Sequence, residues 1–132
     1  MQSVKVAAHG LIKKGDKFLV TKRSASDHYM PGLWDIPGGT VEFKEPIIDA
    51  LNREIIEETG LVVGVGKVLY VYDFVSDPNR HQFQIVYECN YRDGEIVLSA
   101  DHDEYRWVSW EEAKALDKIR FFEGLCGYLG TK

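Results

Sequence analysis

Cysteine is scarce in this chain: Cys89 and Cys126 are the only two among 132 residues. Stability therefore does not come from a disulfide framework, and both thiols, set in apolar patterns, are predicted to be reduced core or near-core residues. Long apolar runs are missing too. Nothing approaches the roughly 20 residues of a membrane span, and Met1 to Gly10 lacks the apolar run and flanks of a signal peptide. A cytoplasmic protein with no membrane partner is expected. Positive charge is in deficit, with 16 basic against 21 acidic residues and a net charge of −5. A protein that grips nucleic-acid backbone needs a basic surface, so nucleic acid is not an expected partner. Repeats, low-complexity tracts and linkers are absent, which predicts a single domain over residues 1–132, as monomer or homodimer.

What the chain does have is a concentrated run of acids. Hydrophobic content of 45% and charged content of 28% are ordinary for a globular protein. From Gly39 to Leu61, however, six acids face only Lys44 and Arg53, a local balance of −4. Ile47, Ala50, Leu51 and Ile55 recur at the spacing of a buried helical stripe. Pro46 suits the first helical turn, and Gly60 suits the position just past the end. At about 100° per residue, Glu54 and Glu58 fall between Ala50 and Leu51, with Glu57 beside Ala50. Solvated acids would lie opposite the stripe; these share its edge. Crowded carboxylates raise one another's pKa unless cations sit among them. Arg53, reaching Glu57 and Asp49, neutralises part of the charge, and the remainder calls for metal. Oxygen ligands without nearby His or Cys favour Mg²⁺ or Mn²⁺ over zinc. A phosphorylated substrate would be repelled unless such an ion reversed the field.

The spacing resembles a known signature. Gly39, five residues, Glu45, seven residues, Arg53-Glu54-Ile55, one residue, Glu57-Glu58, one residue, Gly60-Leu61 fills every fixed position of the box of the Nudix hydrolases (MutT-like proteins). Nine positions over 23 residues make this far more specific than a short glycine motif. The resemblance implies an α+β fold, a Nudix-type α/β/α sandwich with a mixed sheet between helices.

The flanks are read in order. Ser3–Lys13 and Lys17–Arg23 are predicted strands of a hairpin around Gly15-Asp16, with His9 either a satisfied strand histidine or a ligand contact. Residues 24–32 form a loop, then Trp34-Asp35-Ile36 leads into Pro37-Gly38-Gly39, where glycines let backbone approach a metal or phosphate. Trp34 is either a platform for a base or a hydrophobic plug. Val41–Phe43 is a predicted short strand. Leu61–Val75 and His81–Tyr91 are longer strands, the first bent near Gly64 and Gly66. On the second, Phe83, Ile85, Tyr87 and Cys89 share a face. Ser109 and Glu112 form a capping box, and Phe121–Leu129 is a closing helix.

By the resemblance, the Gly38 carbonyl, Glu54, Glu57 and Glu58 are metal ligands, and Glu104 of the Asp101–Glu104 run, or its neighbour Asp103, supplies a distal one, unless that run is a solvated acidic turn. Arg23 touches a substrate phosphate, or is an ordinary surface arginine. Tyr70, Tyr72, Phe74 and Phe83 are stacking partners for a base, or core. Glu54 is the expected general base, with Glu104 second. Arg53 orients these carboxylates, and Glu45 pairs with Arg53 and ties the loop to the helix. The implied reaction is metal-assisted attack of water on a diphosphate linkage, in nucleoside triphosphates or related nucleoside diphosphate derivatives. Nucleotide-pool clean-up is one setting for it. ADP-ribose or nucleotide-sugar hydrolysis is the alternative, to which Pro78, 17 residues past the box, lends slight weight. A nucleotide-sensing domain without catalysis is the alternative of another class.

Overall fold

The computed structural model describes residues 1–28 and 30–130. Residue 29 of the predicted 24–32 loop, and the last two residues of the predicted domain, lie outside the described residues. Among the described residues, seven strands form one mixed sheet: β1 (Ser3–Lys14), β2 (Lys17–Arg23), β3 (Trp34–Asp35), β4 (Gly38–Thr40), β5 (Val62–Asp77), β6 (Arg80–Asp93) and β7 (His102–Val108). Helices α1 (Ile47–Thr59), α2 (Trp110–Lys114) and α3 (Arg120–Leu129) complete it. None of these is long and apolar enough to cross a membrane.

Alternation along β1 explains the layers. Ala8 and Ile12 point into one core with Leu51 and Ile55 of α1, whereas Leu11 points into a second core with Phe122 and Leu125 of α3. The sheet is thus buried on both faces, as the predicted sandwich requires. Cys89 and Cys126 are free and buried, one in each core.

Register positions the site. β1 runs parallel to β6 from Ser3↔Arg80 to Lys13↔Asn90. Its other edge is divided: β4 takes Ala7 to His9, while β2 takes only Lys13 and Lys14. The predicted hairpin is therefore brief, because β2 spends most of its length on β7 and β3. The sheet splits where β2 and β4 part, and the chain between them carries Arg23, Asp35 and Gly38.

The short strand predicted at 41–43 lies earlier, at Gly38–Thr40. Val41 donates one more backbone bond to Val6, and Lys44 then takes a left-handed turn (φ 65°) that ends the pairing. Pro46 flanks the start of α1 and its carbonyl receives the Ala50 N–H. Gly60 closes the helix at φ 76°, as expected of a residue in its place. The β5 bend falls at a register shift between Val65 and Val68. Ser109 and Glu112 satisfy both halves of the capping box on α2.

Candidate active site

The three helix carboxylates are not equivalent. Glu58 is buried, at 9% exposure, Glu54 is half-buried, and the Glu57 side chain is 57% exposed. Burial, reinforced by Asp35 and Glu54, pushes the Glu58 carboxyl up to about 9. Its Oε2 accepts the Gly38 N–H at 3.1 Å. Glu54 is also raised, chiefly by burial, against the pull of Arg53. Gly38 and Gly39 earn their places by close approach. A Cβ on Gly39 would strike the Glu54 carboxylate, and one on Gly38 would meet Ala8 O and lie 2.6 Å from His9 Cα.

Arg53 gathers this face. Its Nε and Nη2 donate to Glu45 at 2.9 and 3.0 Å, its Nη1 to Glu54 at 2.9 Å and Glu57 at 3.4 Å, and its Nη2 also to Thr40 O. Glu45, held by this fork, falls to about 2. The expected tie between loop and helix is present. Asp49, the other expected partner of Arg53, takes no part in it.

Two cavities meet here. One, about 360 Å³, is lined by Glu54, Glu57, Glu58, Ser99, Asp101 and His102. The other, about 450 Å³, lies between β6 and α3, with Phe74, Gln82, Gln84, Arg120 and Phe121 on its walls. Arg23 and Gly38 border both. Arg23 pairs with Asp27 at 2.9 Å and with the buried Asp35 at 3.4 Å. Burial raises the Asp35 carboxyl, while His9 and Arg23 restrain it. His9 is satisfied by Ile36 O and Gln84, as its first reading has it, and also lines the larger cavity.

Three expected site residues stand elsewhere. Glu104 is paired with Arg106 at 3.0 Å, outside both cavities. The cause is a β-bulge: Lys22 opposes Glu104 but Arg23 opposes His102, so Asp103 is extra and the phase flips. His102, with its neighbour Asp101, thereby reaches the acidic cavity in place of Glu104. Phe83 sits with Ile85 and Tyr87 on the α1 side of β6, so alternation gives the cavity to Gln82 and Gln84. Trp34 is 5% exposed, in the α3-side core, with the Arg106 guanidinium 4.9 Å over its ring. It is the plug rather than the platform. Phe74 does line the larger cavity, whereas Tyr70 and Tyr72 pack against α3.

Sequence reading passed over Asp35, Asp101, His102 and the two glutamines. The signals were an acid between Trp34 and Ile36, and polar residues at every second position of a strand.

The carboxylates of the cavity suit a hard divalent ion, although His102 stands among them, contrary to the expectation of no nearby histidine. Among the described residues, the buried Ser99 Oγ and His102 Nδ1 of this cavity have no hydrogen-bond partner. His102 Nε2 lies 3.5 Å from Glu58 Oε1, and burial lowers the imidazole while raising the carboxyl. Among the described residues no three acidic or imidazole groups stand close enough to cage an ion as they are. Arg53 occupies Glu54 and Glu57.

The NUDIX domain profile matches residues 1–124. The chain belongs to the Nudix hydrolase family. Its Nudix relatives include an ADP-ribose pyrophosphatase of Methanocaldococcus jannaschii, 38% identical over 100 residues. That match covers 75% of this chain and 58% of the relative, so the chain spans little more than half of that protein. Nucleoside triphosphatase NudI of Klebsiella pneumoniae is 26% identical over 117 residues, covering 81% and 83% of the two chains. Among solved Nudix structures, a MutT protein from Methanosarcina mazei superimposes with a TM-score of 0.87 at 26% identity, covering 98% of this chain and 95% of that one. Nudix hydrolases generally need a divalent metal, which the oxygen-rich cavity suits.

Proposed function

We propose that the chain hydrolyses the diphosphate linkage of nucleoside triphosphates or related nucleoside diphosphate derivatives, with Mg²⁺ as its working ion. The observation that carries this reading is the junction of the two cavities at Arg23 and Gly38. An acidic chamber adjoins a chamber walled by aromatic rings and amides, as a phosphate chain with an attached nucleoside requires. The Gly38 carbonyl, Glu54, Glu57 and Glu58 would hold the ion, with Asp101 in the role expected of Glu104. When bound, the ion supplies charge neutralisation and acidifies an attacking water.

The protein's own groups do the rest. Arg23 binds phosphate between the cavities. Glu54, made more basic by burial, accepts a proton from water within its reach. Arg53 keeps Glu54 and Glu57 aimed, and Glu45 fixes Arg53. The proposed setting is the cytoplasm, as monomer or homodimer.

Incubation with Mg²⁺ and a panel of nucleoside triphosphates, ADP-ribose, nucleotide sugars and dinucleoside polyphosphates tests the reading. A nucleoside monophosphate with pyrophosphate, or two monophosphates, is the expected product set. No turnover across the panel would leave the sensing alternative. ADP-ribose as the sole good substrate would favour the reading suggested by the archaeal relative. Pro78 adds nothing to it, since it lies at the β5–β6 turn, outside both cavities.

A further inference from the structure

Among the described residues two histidines are buried, His9 and His102. Both nitrogens of His9 have partners, Ile36 O and Gln84. The His102 ring has no such commitment. Its Nδ1 is buried without a partner, and Nε2 meets only Glu58 Oε1 at 3.5 Å, beyond the roughly 2.7–3.2 Å of a hydrogen bond. The residue is 8% exposed and lines the acidic cavity with Glu54, Glu57, Glu58 and Asp101. A buried polar ring left in this state calls for a group that no side chain supplies.

The backbone fixes the ring's place. Near the end of α1, Glu58 O accepts the Ser99 N–H at 3.1 Å, and Ser99 O in turn accepts the His102 N–H at 3.2 Å. From the other side, Ser24 donates its N–H to Asp101 O at 2.8 Å. The bulge at Asp103 then brings His102, rather than Glu104, to the cavity, as bulges beside sites re-aim side chains. Neighbouring ligands of an octahedral ion stand about 3 Å apart, so Glu58 Oε1 and His102 Nε2 need close by only about half an ångström to share one. Neither is held by Arg53, which occupies Glu54 and Glu57. An imidazole also changes which ions are favoured. Mg²⁺ keeps to oxygen ligands, whereas first-row transition ions accept imidazole nitrogen as well.

We propose that His102 is a nitrogen ligand to the divalent ion beside Glu58, so that the acidic cavity takes Mn²⁺ through a mixed nitrogen and oxygen set while Mg²⁺ occupies it through oxygens alone. The inference rests on the ion site of the proposed function. On binding, the ion itself displaces any proton from the ligating nitrogen.

Pulsed electron paramagnetic resonance of Mn²⁺ added to the metal-free protein, with histidine ring nitrogens isotopically labelled, reads the ligand without turnover. A coupling between Mn²⁺ and labelled nitrogen is expected in the wild-type protein and is expected to vanish in His102→Leu. Calorimetric titration of the same two proteins should show the substitution lowering Mn²⁺ affinity ~10-fold or more, and Mg²⁺ affinity by less than about threefold. The wild-type spectrum decides even if the variant does not fold. Mn²⁺ bound without nitrogen coupling, a coupling that persists in His102→Leu, or equal losses of Mn²⁺ and Mg²⁺ affinity would overturn the proposal and leave the hydrolytic reading intact. Nitrogen-ligated Mn²⁺ in a protein that turns over nothing in the substrate panel would sink the hydrolytic reading and leave this one standing. Failure of both ions to bind would sink both.

Discussion

In the proposed reaction Glu58 is a metal ligand, and its burial makes a sign-definite prediction. Its folded value of about 9 exceeds the ordinary carboxyl value of 4.5, so between those pH values the folded protein binds more protons than the unfolded chain. Its contribution to stability is therefore full below about pH 4.5 and declines as pH rises toward 9. Metal-free protein should lose Tm across that window; a Tm that climbs with pH would contradict the burial argument. Glu58→Gln removes the titration at little change in volume. It should stabilise the metal-free protein at pH 7 by about 3 kcal/mol, while kcat falls by orders of magnitude. Chemical denaturation and turnover of the same preparation check both halves. Gly39→Ala tests the neighbouring contact, since its Cβ would land on the Glu54 carboxylate. A displaced carboxylate should cost roughly 100-fold in kcat, measured beside a Tm that reports whether the fold is kept.

At the scale of elements, α1 and the loop before it are joined through one guanidinium. Arg53→Lys cannot reproduce the two-pronged grip on Glu45 while holding Glu54 and Glu57. Such part-exposed ion pairs contribute little to folding, so Tm should fall only slightly. Loss of aim should instead appear in kcat, and a variant with native kcat would remove Arg53 from the site. This helix was legible in the sequence almost residue by residue, because the apolar stripe, the acids and Gly60 all obey one period. The strands were legible as strands, yet their faces were not. A single extra residue at Asp103 inverted the side from which an acid reaches the cavity, and no period announces a bulge. On β6 the aromatic face drew attention, but those rings fill the α1-side core while the glutamines line the cavity. Trp34 likewise went inward, where its size is best used. Pairing partners far apart in sequence decided each of these outcomes.

For the molecule as a whole, the divided edge of β1 opens the sheet, and the acidic and aromatic cavities share the opening. The chain's net charge of −5 sets its phosphate-binding prospects against it unless a cation intervenes. The central claim is that a divalent ion binds where Glu58 must give up its proton. Thermal unfolding with and without Mg²⁺, at pH 8 and at pH 6, tests it most directly. At an ion concentration about 100 times the dissociation constant the stabilisation is ~2.7 kcal/mol, which corresponds to roughly 10 °C in Tm for a chain of this size. Affinity should weaken about tenfold for each pH unit below 9, so the same Mg²⁺ concentration should give the larger rise at pH 8. A Tm indifferent to Mg²⁺ at both pH values, or an equal rise in the Glu58→Gln variant, would contradict the account.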